Sequence, residues 1–156
     1  MPDHDHFMRV ALEEAVKAGR AGNIAVGSVV MLNDEVVGRG HSQASSAPDP
    51  TAHAETAAMR EARRDLSRTE LSGTVLYTTY EPCPMCCGAI MLTGVSTLVM
   101  GARQPASGGR FGTYSVGKVL ALANWGDRLT IVDGVLTVEC LRLLEDWRAQ
   151  NAPRPK

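Results

Sequence analysis

The order of predicted elements points to an α/β protein: a three-layer α/β/α sandwich around a five-stranded mixed sheet, with an antiparallel hairpin at one edge. Three observations carry that expectation. Strands and helices alternate with short connections from Val75 onward, which calls for parallel crossovers. Two valine-rich runs are joined only by Asn33-Asp34, a spacing that makes them an antiparallel pair. The chain has 156 residues, the length of one domain, and a core of that size buries about two-thirds of the unfolded surface.

The elements follow in order. Asp5 is the expected cap of a first helix, where Met8, Leu12, Ala15 and Val16 recur at helical spacing before Gly19 and Gly22 end it. Residues 25–32 (AVGSVVML) are apolar on both faces and read as a central strand, and residues 35–41 return as its hairpin partner. Residues 42–50 (SQASSAPDP) form a loop by composition, after which Thr51 caps a helix over about 52–65. Residues 75–79 (VLYTT) are a strand, and 81–93 a turn entering a short buried helix. A strand at 95–100, a Gly-rich loop through Gly112, a helix at 116–123, a strand at 129–132 and a helix at 138–150 complete the alternation. Residues 1–150 are thus one domain, and 151–156 (NAPRPK) a loose tail.

Composition narrows the function. Sixteen Lys+Arg against 17 Asp+Glu give a formal net charge of −1, which argues against binding nucleic acid by bulk charge. No run of 18 apolar residues exists, so no membrane partner or span is expected. The first residues carry acids where a secretory signal needs bases, which predicts a cytoplasmic protein with reduced thiols. Four cysteines in that setting point to metal or catalysis before disulfides.

Two segments carry chemistry: His53-Ala54-Glu55 and Pro82-Cys83-Pro84-Met85-Cys86. Cys83 and Cys86 are three apart at a helix start, so their sulfurs face one way, and the helix N-terminus favours thiolate. With His53 they form a soft, tetrahedral-leaning set of three ligands and one open position, the pattern of a catalytic zinc site. A water in that position is acidified by the metal. Glu55, two residues after His53, is placed to take a proton from it and pass it to a ring nitrogen and then a leaving amine. Cys87 and Cys140 are expected in the core.

These motifs resemble the zinc-dependent cytidine/deoxycytidylate deaminase superfamily, over about residues 7–147. The segments AVGSVV, GRGH, DPTAHAE, LYTTYEPCPMCCGAIM and DGVLTVEC are most similar to two branches, the cytosine and guanine deaminases and the bacterial tRNA adenosine deaminase. The resemblance implies a cytidine deaminase-like fold, one zinc held by His53, Cys83 and Cys86, Glu55 as proton shuttle, and a homodimer to which the apolar run Ala89, Ile90, Met91, Leu92 could contribute. It also makes the Cys83 backbone N–H a candidate substrate contact. Both branches commonly place an asparagine after the second strand to bond the base; here Ser42 stands in that place, with His41 and Gln43 beside it. Residues 104–114 (QPASGGRFGTY) are either a surface loop or a lid in which Phe111 and Tyr114 stack on a base.

The expected activity is therefore hydrolytic deamination of a small nucleobase-like heterocycle of the cytosine, guanine or aminated triazine type, or its nucleoside. The alternative is deamination of adenosine to inosine in tRNA. The final helix and tail offer only Arg142, Arg148, Arg154 and Lys156, offset by Glu145 and Asp146, which favours the free base over tRNA. A non-catalytic zinc module is the remaining alternative.

Overall fold

A computed structural model describes residues 3–152. Helix α1 (His4–Arg20) starts two residues earlier than expected, because Asp3 and not Asp5 accepts from the N–H of His6 at 3.0 Å. Strands β1 (Gly27–Leu32) and β2 (Glu35–His41) pair antiparallel across Asn33 and Asp34, whose φ of 52° and 62° suit the primed turn that a two-residue hairpin requires. Helix α2 (Ala54–Asp65) starts two residues later than expected. Thr51 is occupied elsewhere: its N–H and hydroxyl both donate to Asp49 Oδ1, at 2.8 and 2.7 Å, in a side-chain turn that leaves His53 as the N-cap.

Strand β3 (Val75–Tyr80), helix α3 (Pro84–Thr93), strand β4 (Thr97–Ala102), helix α4 (Val116–Leu122), strand β5 (Thr130–Val132) and helix α5 (Thr137–Gln150) follow. The sheet order is β2-β1-β3-β4-β5. β1 runs antiparallel to both neighbours, while β3, β4 and β5 are parallel. This is the expected five-stranded mixed sheet with an edge hairpin, an α/β architecture. β4 lies two residues later than expected, and α5 ends at Gln150, so the tail expected at 151–156 is described only through Ala152. Arg154 and Lys156 lie outside the described residues.

Side-chain alternation divides the core into two layers. Val30, Leu76, Leu98 and Met100 pack against Ala58 and Met59 of α2, Ile90 of α3 and Leu120 of α4. Val29, Met31, Tyr77 and Val99 face Phe7, Met8 and Ala11 of α1 and Cys140 of α5. The sheet is thus covered on both sides. α2 approaches β2 closely: a Cβ at Gly40 would lie 2.2 Å from the Ala54 carbonyl oxygen, and one at Gly38 2.3 Å from that of Ala58. Only glycine allows this helix to rest backbone on backbone against the strand. No helix among the described residues is long and apolar enough to cross a membrane.

Candidate active site

The topology gathers the starts of α2 and α3 at the end of the sheet where β2, β3 and β4 finish. His53 and Cys83 are the N-caps of those two helices, both with extended backbone (ψ 160° and 170°), and Pro84 takes the first helical position of α3, where its missing N–H costs nothing. The extended caps turn the two side chains toward each other. His53 Nδ1 lies 3.5 Å from the sulfurs of both Cys83 and Cys86, and all three ligand atoms fall within 4.8 Å of one another.

A tetrahedral zinc bound to one imidazole and two thiolates sets nitrogen and sulfur about 3.6 Å apart, so the donor set fits that metal in type and spacing. The electrostatics agree. Hydrogen bonds from Cys86 and then His53 lower the Cys83 thiol to about 4, which makes it a thiolate, while the contact with Cys83 and burial raise Cys86. The same contact with Cys83 raises His53, against its burial.

Glu55 stands beside this group in the first turn of α2 and is only 4% exposed. Its Oε1 accepts from the Thr78 hydroxyl at 3.2 Å, and Oε2 lies 3.5 Å from the Cys86 sulfur. Burial raises its carboxyl above its ordinary value, which favours the protonated form relative to a free carboxylate. Thr78, on β3, orients the carboxylate and was not singled out from sequence; its alternation with the buried Tyr77 is the signal that put it on this face.

A cavity of about 390 Å³ opens over these residues, lined by His53, Glu55 and Cys83 at one end and by Ser42, Val26 and Tyr80 around it. The third wall comes from the segment between β4 and α4, with Gln104, Arg110, Phe111 and Tyr114, and Arg148 reaches it from α5. Ser42 is 2% exposed, and its Oγ has no hydrogen-bond partner among the described residues. Phe111 is 47% exposed and meets Tyr114 edge to face at 6.4 Å; Tyr114 donates its hydroxyl to the Pro82 carbonyl at 2.8 Å.

His41 does not belong to this lining, which corrects its expected substrate role. Strand alternation turns it to the α1 face, where its Nδ1 lies 3.2 Å from Glu14 Oε2. Cys87 and Cys140 sit in the two core layers, as expected. From sequence, Arg148 entered only as a charge to count, whereas Arg110 beside Gly108 and Gly109 was read as able to contact a phosphate; Glu81 was not weighed at all. The signal for the arginines was position, since the loop and the last helix both end at this face.

Three N/S donors able to hold a metal, with a buried carboxylate beside them at the strand ends of such a sheet, have the make-up of a metal-dependent hydrolase site. The profile of the cytidine and deoxycytidylate deaminase zinc-binding region matches residues 1–102, and the chain belongs to that family. It is therefore an enzyme, a hydrolase of C–N bonds. The tRNA-specific adenosine deaminase of Bacillus subtilis (strain 168) is 36% identical over 140 residues, 90% of this chain and 85% of that protein. A chain solved in studies of A-to-I editing by tRNA:A34 deaminases at the wobble position is 32% identical with a TM-score of 0.80, covering 89% of this chain and 99% of its own. A guanine deaminase from Nitrosomonas europaea, 23% identical with a TM-score of 0.80 over 93% of this chain and 84% of its own, shares the fold.

Proposed function

We propose that the chain deaminates adenosine to inosine in transfer RNA, in place of the small free base that net charge and the C-terminal composition favoured. The observation that carries this reading is the cavity mouth. Arg110 and Arg148 are exposed there beside the exposed ring of Phe111, around a cavity of about 390 Å³. Cations at the rim suit phosphates, an exposed ring suits a splayed base, and the space behind them suits the flipped nucleoside. Net charge is a sum over the whole surface and does not describe this rim. The likeness to tRNA adenosine deaminases over most of the chain supports the same substrate.

His53, Cys83 and Cys86 hold one zinc in this reading, which when bound activates the attacking water. Glu55 moves the protons: one from water to a ring nitrogen of adenine, then one to the departing amine as the C6–N bond breaks and the carbonyl forms. Thr78 holds Oε1 of Glu55 in place for both transfers. Ser42 supplies a hydroxyl to the base edge; its orphaned Oγ is the group on the cavity wall that needs a partner. Segment 104–114 acts as a lid, with Phe111 and Tyr114 against the base.

The protein works in the cytoplasm as a homodimer in this reading. The run Ala89–Leu92 divides: Ile90 is fully buried in the core, whereas Leu92 is 89% exposed, as is part of Met85 on the same helix. Light scattering should give about twice 16.7 kDa; a monomer mass at micromolar concentration refutes the dimer. The substrate is tested by kcat/KM on an anticodon stem-loop bearing adenosine, beside free guanine, cytosine and an aminated triazine at matched salt. Inosine in the RNA is the expected product. Ammonia from a free base with no inosine in the RNA refutes the proposal and returns the free-base reading.

A further inference from the structure

Glu81 follows β3 directly and stands two residues before Cys83, with its side chain buried. Its backbone N–H donates to the carbonyl of Ala102 at 2.8 Å, which fixes it to the end of β4. Its two carboxylate oxygens take different partners. Oε2 accepts from the N–H of Gln104 at 3.3 Å, and Oε1 from the N–H of Val116 at 3.0 Å. Gln104 begins the segment that walls the cavity, and Val116 is the first residue of the helix that ends it. One carboxylate therefore clasps both stems of the loop that carries Arg110, Phe111 and Tyr114.

The loop's inner bonds close onto the same clasp. Gln104 Nε2 donates to the carbonyl of Tyr114, and Tyr114 donates to the carbonyl of Pro82, next to Glu81 in sequence. A carboxylate suits the place because it offers acceptors in two directions and no donor, and both facing groups are backbone donors. Burial makes each of these bonds count for more than it would in water.

We propose that Glu81 is a positioning residue for substrate: through the amides of Gln104 and Val116 it fixes the loop 104–115 at one distance from His53, Cys83 and Cys86. It reaches no reacting atom. The proposal rests on the deaminase activity of this cavity, not on the choice of RNA over a free base.

The test uses the zinc-loaded full chain and two substitutions. Glu81→Gln keeps the shape but turns one acceptor into an NH2 group facing an N–H. Val116→Pro deletes one of the two donors at a first helical position, where proline is tolerated; Ser115 before it already has the extended backbone (φ −148°, ψ 155°) that proline requires. Losing a hydrogen bond to a carboxylate should raise KM for the adenosine stem-loop roughly tenfold in either variant, with kcat within about threefold. Metal content should not change. Amide exchange should quicken across 104–116 and stay slow in β3 and β4. On the Val116→Pro background the NH2 of Glu81→Gln no longer faces a donor, so the double variant should be within about twofold of Val116→Pro alone.

An unchanged KM in both variants overturns the proposal, whether or not exchange quickens. So does a double variant in which the two factors multiply in full. If the wild type leaves the RNA untouched, KM is read on whichever of guanine or cytosine it deaminates. Failure of the RNA reading is thereby separated from failure of the clasp.

Discussion

Replacing Gly40 by alanine perturbs the site without changing any residue that lines it. The added Cβ would lie 2.2 Å from the carbonyl oxygen of Ala54 and 2.4 Å from the nitrogen of Ala58. Carbon and carbonyl oxygen in close contact are normally about 3.3 Å apart, so the start of α2 has to retreat by about 1 Å. Ala54 lies between His53 and Glu55, and both residues move with it. A displacement of that size at a reacting centre costs about 10²-fold in rate, and the overpacking itself about 1–3 kcal/mol of stability. Gly38→Ala is the internal control. Its Cβ would meet the carbonyl of Ala58 at 2.3 Å and the nitrogen of Ala62 at 2.8 Å, one turn further from the site. Denaturant unfolding should give similar losses of stability for the two variants, while kcat/KM on the adenosine stem-loop falls roughly tenfold further in Gly40→Ala. Zinc content should drop in Gly40→Ala alone, because His53 is displaced relative to Cys83. Equal losses of kcat/KM in the two variants, or full activity and metal in Gly40→Ala, refute the claim that this close approach positions the site.

Three more outcomes are expected. Cys83→Ala should lose zinc while Cys87→Ala keeps it, as metal analysis of the purified proteins would show; the reverse pattern means that the ligand set is wrong. Glu55→Gln should retain zinc and lose at least ~10² in kcat, measured by ammonia release, since it keeps the shape and removes the proton acceptor. Glu14 is buried; burial alone would raise its carboxyl, but hydrogen bonds from Lys17 and His41 outweigh that and hold it below its ordinary value of 4.5. A lowered carboxylate contributes stability that is fully present above pH 4.5 and lost as pH falls through the folded value. Urea unfolding should therefore show a gap of about 1–3 kcal/mol between wild type and Glu14→Gln at pH 7 that narrows below pH 4.5; a gap that does not change with pH rules the ionic contribution out.

The cluster of His53, Cys83 and Cys86 was legible in the sequence because each half sits within a few consecutive residues. The ligand spacing in Pro82–Cys86 is a local property of one helical turn, and His53-Ala54-Glu55 is local to another. The hairpin was legible for the same reason, through Asn33 and Asp34. What escaped was set by contacts distant along the chain. Thr51 looked like a cap until Asp49 claimed both its donors. His41 looked like a neighbour of Ser42, although period-two alternation sends it to Glu14 on the opposite face, a reading the strand pattern did permit. Glu81 had no sequence signal, because its partners are backbone amides from positions 104 and 116. The rim arginines were counted into a net charge of −1, and a sum cannot report that two of them share one opening.

The site also breaks a local rule, and the break says what the local structure is for. A helix start ordinarily carries Ser, Thr, Asp or Asn to accept from the first free N–H groups, and losing such a cap costs about 1 kcal/mol. α4 follows the rule, with Ser115 accepting from the N–H of Lys118 at 3.2 Å. α1 follows it with Asp3. α5, which begins at Leu136, makes no side-chain cap bond, and neither do the two helices that meet at the site, α2 beginning at His53 and α3 at Cys83. The N–H groups at these two starts put partial positive charge beside Cys83 and Glu55: that of Cys86 helps lower the Cys83 thiol, and that of Glu55 lowers its own carboxyl against the larger effect of burial. The same omission that weakens each helix thus favours the thiolate of Cys83, an anionic donor that suits a cation. A side chain that capped either helix well would have to point back at its own backbone, and it could no longer turn across the gap to the other helix. Stability at these two helix starts and a metal-binding geometry between them compete for the same side chains, and in this chain the metal geometry has won at both.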